Sequence, residues 1–293
     1  MFQFFANIFG YLLQLLYNLV NNYGLAIILF TIIIKALQIP LSIKQQRTMI
    51  KSSKLQQKMQ AIQFKYKNNP EKMNQEIMEL YKTEKLNPFS GCFMSIVQMI
   101  LILSIFYLVK SPLTFMEKVP QDSLNAYIGQ VKEAGREVSQ VYPEIDLIRE
   151  YKFLKEKNPN DVNVEKLNVK MNFLGLDLSK IPQQNLTDYT VYIIPVLYIL
   201  SSFISIRMTT SMQEKMKNKE DNKLIDGETG TELQPKEEEI DPMAQTNKMM
   251  SWMMPIMSIS IAMVAPLGLA LYWLMSNILM ILERLFLNKF IKA

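Results

Sequence analysis

The chain has 293 residues, 49% of them hydrophobic, a formal net charge of +5, 21 methionines, nine glycines and no histidine. A soluble protein of this size spreads its apolar residues periodically around one or two cores. Here they gather in charge-free runs over 86–109, 189–206 and 249–282, each long enough to cross a hydrocarbon core of roughly 30 Å, so the composition excludes a water-soluble globule.

Residues 1–22 carry no charged side chain, and Phe2, Phe5, Phe9, Leu13, Leu16 and Val20 recur at helical spacing. Without a basic start or a small-residue cleavage site it is not expected to be removed as a signal peptide, and an additional span is the alternative to the interfacial helix. The pattern predicts a helix lying in the outer membrane interface, ended by an Asn21-Asn22 turn.

The first predicted span, 23–43, holds one charge, Lys35, in an otherwise apolar run. A lysine at a helix centre costs about 2.5–3.5 kcal/mol on insertion scales, and each Leu, Ile or Phe returns roughly 0.3–0.6 kcal/mol. The twelve Leu, Ile and Phe residues of 25–43 outweigh it, so the span inserts. Lys35 stands about eight residues, or ~12 Å, from either end, a long reach for snorkelling. The alternative is that it faces a polar cavity.

Residues 44–88 read as a helical hairpin. Leu55, Met59, Ile62 and Tyr66 form one apolar stripe, Met73, Ile77, Leu80 and Tyr81 a second, and Asn68-Asn69-Pro70 separates them. Such a hairpin buries a thin seam and exposes its lysines. It serves either as a plain spacer or as a basic surface for lipid headgroups, ribosomal RNA or an acidic partner.

A second span is predicted at 89–110 and a third at 189–207. Between them, 111–188 is an extracytoplasmic loop region with 11 basic and 12 acidic residues counting Lys110. Residues 208–248 form a cytoplasmic loop whose polar part, 217–242, is expected to be flexible. The last charge-free run is too long for one span, and Ala265-Pro266-Leu267-Gly268 breaks it into spans at 249–265 and 266–285. Met249, Met250, Met253, Met254 and Met257 line the fourth span, as pliable contacts for varied apolar segments or as core filler. The tail, 286–293, follows Arg284 and carries Lys289 and Lys292; these three basic residues are expected to approach RNA phosphates weakly.

Residues 44–85 hold ten basic and four acidic residues, which places that side in the cytoplasm. The N-terminus is then outside and the C-terminus inside. The fold class is all-α: a polytopic five-helix transmembrane bundle with a cytoplasmic helical hairpin and an N-terminal interfacial helix.

Chemistry is narrowly bounded. With no histidine and the single cysteine Cys92, the chain offers no zinc site, disulfide or Cys-His nucleophile. It has no Gly-rich phosphate loop and no carboxylate within the apolar runs, which disfavours proton-coupled transport. No catalytic residue, metal or cofactor is expected, nor any specific DNA partner.

Several stretches carry a resemblance. Residues 22–46 read NYGLAIILFTIIIKALQIPLSIKQQ, 78–82 MELYK, 86–92 LNPFSGC followed by Gln98-Met99, 172–179 NFLGLDLS and 265–277 APLGLALYWLMSN. In this order they resemble the YidC/Oxa/Alb membrane protein insertases, in the form found in monoderm bacteria without a large outer domain. The resemblance implies a non-enzymatic insertase and chaperone in the bacterial cytoplasmic membrane. It implies a hydrophilic groove, open to cytoplasm and lipid, that accepts nascent membrane proteins, with the ribosome, the Sec translocon and membrane lipids as partners. The family usually carries arginine where Lys35 stands, and many members have proline where this chain has Ile100. Gln98, Ser201, Ser205, Tyr272, Trp273 and Asn277 are the further candidates to line the groove beside Lys35; each alone is also explained by interhelical packing. An ion or solute channel and a lipid- or complex-binding scaffold remain the alternatives.

Overall fold

The computed structural model describes residues 2–84, 90–225 and 259–290. The predicted LNPFS stretch at 86–90 falls largely outside these residues, and the methionine-lined part of the fourth span, 249–257, lies wholly outside them. Contacts divide the chain into two units, one formed by Met1–Leu37, Met99–Ser202 and Met254–Leu282, the other by Gln38–Gln98, Phe203–Met253 and Glu283–Ala293.

Helix α1, Phe2–Val20, buries Ala6, Gly10, Leu13, Leu16 and Tyr17. The predicted stripe lies on the same face, with Phe2, Phe5, Phe9 and Val20 half-buried around them. The opposite face, Phe4, Ile8, Tyr11, Leu15 and Leu19, is apolar and exposed. At Gly10 the helix meets another backbone directly: a Cβ there would lie 1.9 Å from the carbonyl oxygen of Phe115.

The Asn21-Asn22 pair ends one helix and starts the next. Asn21 takes φ 49°, the left-handed conformation that asparagine tolerates at a helix C-terminus. The Asn22 side chain accepts from Leu25 N at 3.1 Å, which caps a new N-terminus.

Helix α2, Tyr23–Lys65, has 43 residues and contains Pro40. The predicted boundary between span and hairpin at 43/44 is therefore not a break. Nothing in 36–47 supplies a stop signal beyond Pro40, which removes one N–H. Helix α3, Pro70–Thr83, begins at Asn69, whose side chain accepts from Lys72 N. In this unit Leu55 is buried, α3 has no fully buried residue, Tyr66 donates to Glu76 Oε1 at 3.2 Å, and Lys58 pairs with Glu84.

Helix α4, Ser90–Lys110, passes Ile100 unbroken. Residues 111–188, the predicted loop region between spans, carry short helices and a strand pair of their own. Helices α5 (Pro112–Phe115), α6 (Gln121–Glu133), α7 (Pro143–Arg149), α8 (Tyr151–Lys157) and α9 (Val162–Glu165) lead to an antiparallel pair, β1 (Asn172–Phe173) and β2 (Leu176–Asp177). Leu113, Leu124, Tyr127, Leu147, Leu154 and Leu167 are each at most 2% exposed and belong to one core that also contains Leu13 and Leu16 of α1. Carboxylates tie its segments together. Glu144, itself buried, accepts from Thr114 N at 2.9 Å and from Thr114 Oγ1 at 2.7 Å, and Asp146 accepts from Ser139 N at 2.8 Å.

A 3₁₀ turn, Tyr189–Tyr192, leads into α10, Ile193–Ile225. The helix runs well past the predicted span end at 207, and 217–225, expected to be flexible, are helical. Residues 259–264 form α11, the break falls at Ala265-Pro266, and α12 is Leu267–Phe290. Pro266 suits this start, because a first-turn proline loses no intrahelical bond.

Three helices among the described residues are long and apolar enough to cross a membrane, over Tyr23–Arg47, Tyr189–Ser211 and Leu267–Leu287, and a shorter apolar stretch is Ile96–Lys110. Leu25, Ile32, Leu37, Val196, Leu200 and Phe203 are exposed along them. Water would not tolerate so continuous an apolar surface. The protein is an all-α, multi-pass membrane protein.

The three spans start from one side. Tyr23 N donates to Lys170 O at 3.1 Å, Leu267 N to Lys180 O at 2.9 Å and Gly268 N to Leu178 O at 2.9 Å. Residues 170–188 thus tie the starts of α2 and α12 together and then continue into the start of the third.

Candidate functional site

Within the first unit, α2 turns a consistent face inward. Ile27, Thr31 and Ile34 are buried, and Thr31 satisfies its hydroxyl on Ile27 O at 2.6 Å. Lys35 follows Thr31 by four residues, hence on the same side of the helix, and is half-buried. Ile32, Leu37 and Ile39 take the exposed side. Lys35 is therefore carried on the protein-facing side of its span.

Helices α10 and α12 meet through polar groups in the same unit. Ser201 and Ser202 are buried, and Asn277 Nδ2 donates to Ser202 Oγ at 2.7 Å and, longer, to Ser201 Oγ at 3.4 Å. Ser201 Oγ also donates to Tyr198 O at 2.7 Å. One turn up α12, half-buried Trp273 lies against Tyr198 with ring centroids 5.8 Å apart. Tyr272 is 6% exposed and belongs to the core. Of the candidate residues, Ser201, Trp273 and Asn277 form one cluster, and Lys35 and Tyr272 lie in the same unit.

Gln98 and Ser205 fall in the second unit. Gln98 is half-buried on α4 and Ser205 is buried. Here a residue that the candidate set omits takes part. Arg284 Nη1 donates to Ser205 O at 3.2 Å and also bonds Thr209 Oγ1. Arg284 is thus half-buried against α10, which corrects its reading as part of a basic tail. Counting charges near the chain end cannot reveal a backbone acceptor on another helix. Lys292 lies outside the described residues.

Ser202, Thr209 and Arg284 are the polar residues that sequence reasoning missed. A signal existed: positions 202, 205 and 209 repeat at i, i+3, i+7, one helical face, and Asn277 and Arg284 stand seven apart on α12.

The Asn277 contact carries a measurable weight. Hydrogen bonds between membrane helices are worth about 0.6 kcal/mol on average and up to ~1.7 kcal/mol. Asn277→Ala is expected to lower the unfolding free energy in detergent by an amount in that range, and Ser202→Ala in an Asn277→Ala background to add little further. Fully additive losses would show that the two side chains are not coupled.

Among the described residues no group of three or more Cys, Asp or Glu is placed to hold a metal ion. The first unit offers the hydrogen-bonding groups Ser201, Ser202 and Asn277 and the half-buried Lys35, and the second offers Arg284 against α10.

Comparison with known proteins bears on what such an arrangement serves. The chain is 49% identical over 100 residues to "Membrane protein insertase YidC" of Buchnera aphidicola, covering 34% of this chain and 19% of that protein. It is 40% identical over 99 residues to the protein of the same name from Burkholderia multivorans, with 34% and 18% covered. For the one from Granulibacter bethesdensis the identity is 41% over 108 residues, with 37% and 19% covered. The matched stretch thus spans about a fifth of the length of these relatives. The family model described as 60Kd inner membrane protein matches residues 15–293, nearly the whole chain, and the chain accordingly belongs to that family.

Proposed function

We propose that this protein is a membrane protein insertase and chaperone. It accepts polar segments of nascent membrane proteins against the inward faces of its spans and releases their apolar segments into lipid. The observation that carries this reading is the placement of Lys35 beyond Thr31 on the protein-facing side of α2, within a helix otherwise apolar. Relatives named as insertases support it. The substrate's apolar segment supplies most of the driving force, at about 25 cal/mol per Å² buried in lipid. Lys35 steers and holds; it does not drive.

On this reading the chain has five spans, an N-terminus outside and a C-terminus in the cytoplasm of a bacterial cell. The shared starting side of α2, α10 and α12 supports the odd count. Lys35, Gln98, Ser201, Ser205, Tyr272, Trp273 and Asn277 are proposed to border the substrate path, with the ribosome and the Sec translocon upstream of it and membrane lipids around it. It is proposed to act without covalent catalysis.

The test is reconstitution. Vesicles carrying the purified protein should protect the translocated tail of a single-span reporter from protease, and empty vesicles should not. Equal protection in both, or steady ion conductance across planar bilayers without insertion, would reject the reading in favour of a scaffold or a channel.

A further inference from the structure

The β1–β2 turn presents an anomaly. Its two central residues, Leu174 and Gly175, both take positive φ, 51° and 81°, as a type I′ hairpin demands. Glycine and asparagine adopt this conformation readily; leucine does so only at a steric cost. Yet Leu174 stands there 86% exposed, with a higher exposed fraction than any other large apolar residue described. A branched apolar side chain in a strained turn, with no protein around it, has no role in packing this chain.

Its position supplies one. Phe173 lies so close to the start of α2 that a Cβ on Gly24 would be 2.5 Å from its ring. Asn22 Nδ2 donates to Asn172 O at 2.7 Å. Leu178 O and Lys180 O accept from the first turn of α12. The hairpin is therefore pinned where two spans begin, and Leu174 is one Cα step, about 3.8 Å, past Phe173. Leu25, next after Gly24, is exposed as well, so an exposed apolar side chain of α2 adjoins the residue against which Phe173 packs. Exposed Leu186 and Tyr189 precede the third span, and an aromatic ring at a span's edge suits the headgroup level. Exposed Lys170 flanks the base of the hairpin, and Lys180 is paired with Asp188 at 2.7 Å.

We propose that the 173–176 turn dips into the adjacent lipid leaflet, with Leu174 as an apolar finger that seats the folded 111–188 region on the bilayer. The occupant is the acyl-chain boundary of a leaflet. A protein partner would call for a broader apolar surface than a single side chain beside a span. The inference depends only on the chain spanning a membrane, so it stands or falls separately from the insertase reading. It gives the leucine a reason to occupy a conformation that suits asparagine better.

The test uses the full chain with Cys92→Ser, Leu174→Cys labelled with a polarity-sensitive fluorophore, and vesicles of phosphatidylethanolamine and phosphatidylglycerol bearing spin labels at shallow acyl depth. Val162→Cys, on another exposed apolar side chain of the same region, serves as the comparison. Label at 174 should show blue-shifted emission and lose most of its intensity to the spin-labelled lipid, whereas label at 162 should respond to aqueous iodide. Iodide quenching at 174 equal to that at 162, with no effect of spin-labelled lipid, would overturn the proposal. Leu174→Asn guards against misfolding, because it suits the turn. In vesicles its 172–177 amides should exchange with solvent faster than in the unsubstituted chain, and unchanged exchange would also count against the finger.

Discussion

Lys35→Glu is expected to abolish insertion of a single-span substrate with an acidic tail, while Lys35→Arg keeps it and Lys35→Ala falls between. The ordering follows from charge. A cation on the inward side of a span attracts an acidic segment, and a carboxylate in its place repels it. Even at an effective dielectric near 20, unit charges 4 Å apart interact by about 4 kcal/mol. Reversing the sign moves the energy by twice that, and solvent relaxation reduces the figure. Arginine preserves the charge and adds a planar donor fork, so it should serve at least as well. A neutral tail should insert nearly equally with all four side chains. The measurement is protease protection of paired reporters, one acidic and one neutral, in vesicles carrying each variant. Wild-type insertion of the acidic reporter by Lys35→Glu would reject the steering role.

Glu144→Ala is expected to destabilise the folded 111–188 region and the packing of α1 on it. The Glu144 carboxylate accepts from the backbone and side chain of Thr114 at the start of α5, whose far end meets Gly10 backbone to backbone. Removing it leaves buried donors unsatisfied, at about 1–3 kcal/mol. Burial pushes the Glu144 carboxyl up from its ordinary 4.5, against the opposing effect of its Thr114 hydrogen bonds. Burial raises Glu117 and Asp146 too. A carboxyl with a raised folded-state pKa contributes stability that is fully present below its unfolded value and lost as pH rises through the folded one. Asp188 acts oppositely, held down to about 2 by its bonds to Lys180 and Thr190, so its contribution is lost only in strong acid. The region should therefore unfold at a higher temperature near pH 5 than near pH 8, and Glu144→Gln should flatten that slope. A midpoint that falls steadily from pH 8 to 5 in the unsubstituted protein would contradict this.

Three apolar helices and several helix boundaries were legible in the sequence because each depends on local chemistry. Asn21-Asn22, Asn69-Pro70 and Ala265-Pro266 all mark helix boundaries, and Met73, Ile77, Leu80 and Tyr81 of the second stripe are the half-buried side of α3. Lys35 stood out in the sequence as the one charge of its span, and it is half-buried in the structure. The fold of 111–188 was not legible, because its core is assembled from short helices such as Pro143–Arg149 and Tyr151–Lys157. Elements of two turns have too few residues to display a period, and tertiary contacts define them. The continuation of α10 to Ile225 was hidden for another reason: KNKEDNKLI is polar enough to read as a loop, and helix propensity alone separates the two. The engagement of Arg284 with Ser205 O was invisible, since a backbone acceptor leaves no trace in residue identity.

The most direct test of the central claim is site-directed photo-crosslinking to ribosome-held nascent membrane proteins, with the reactive group placed in turn at Lys35, Gln98 and Trp273, and at the lipid-exposed Leu200 as comparison. Substrate should crosslink strongly from the first three positions while its polar tail is being moved, and from Leu200 only once its apolar segment has reached lipid. Crosslinks from Leu200 alone, or none above background from Lys35 at any chain length, would contradict a substrate path along the inward faces of the spans.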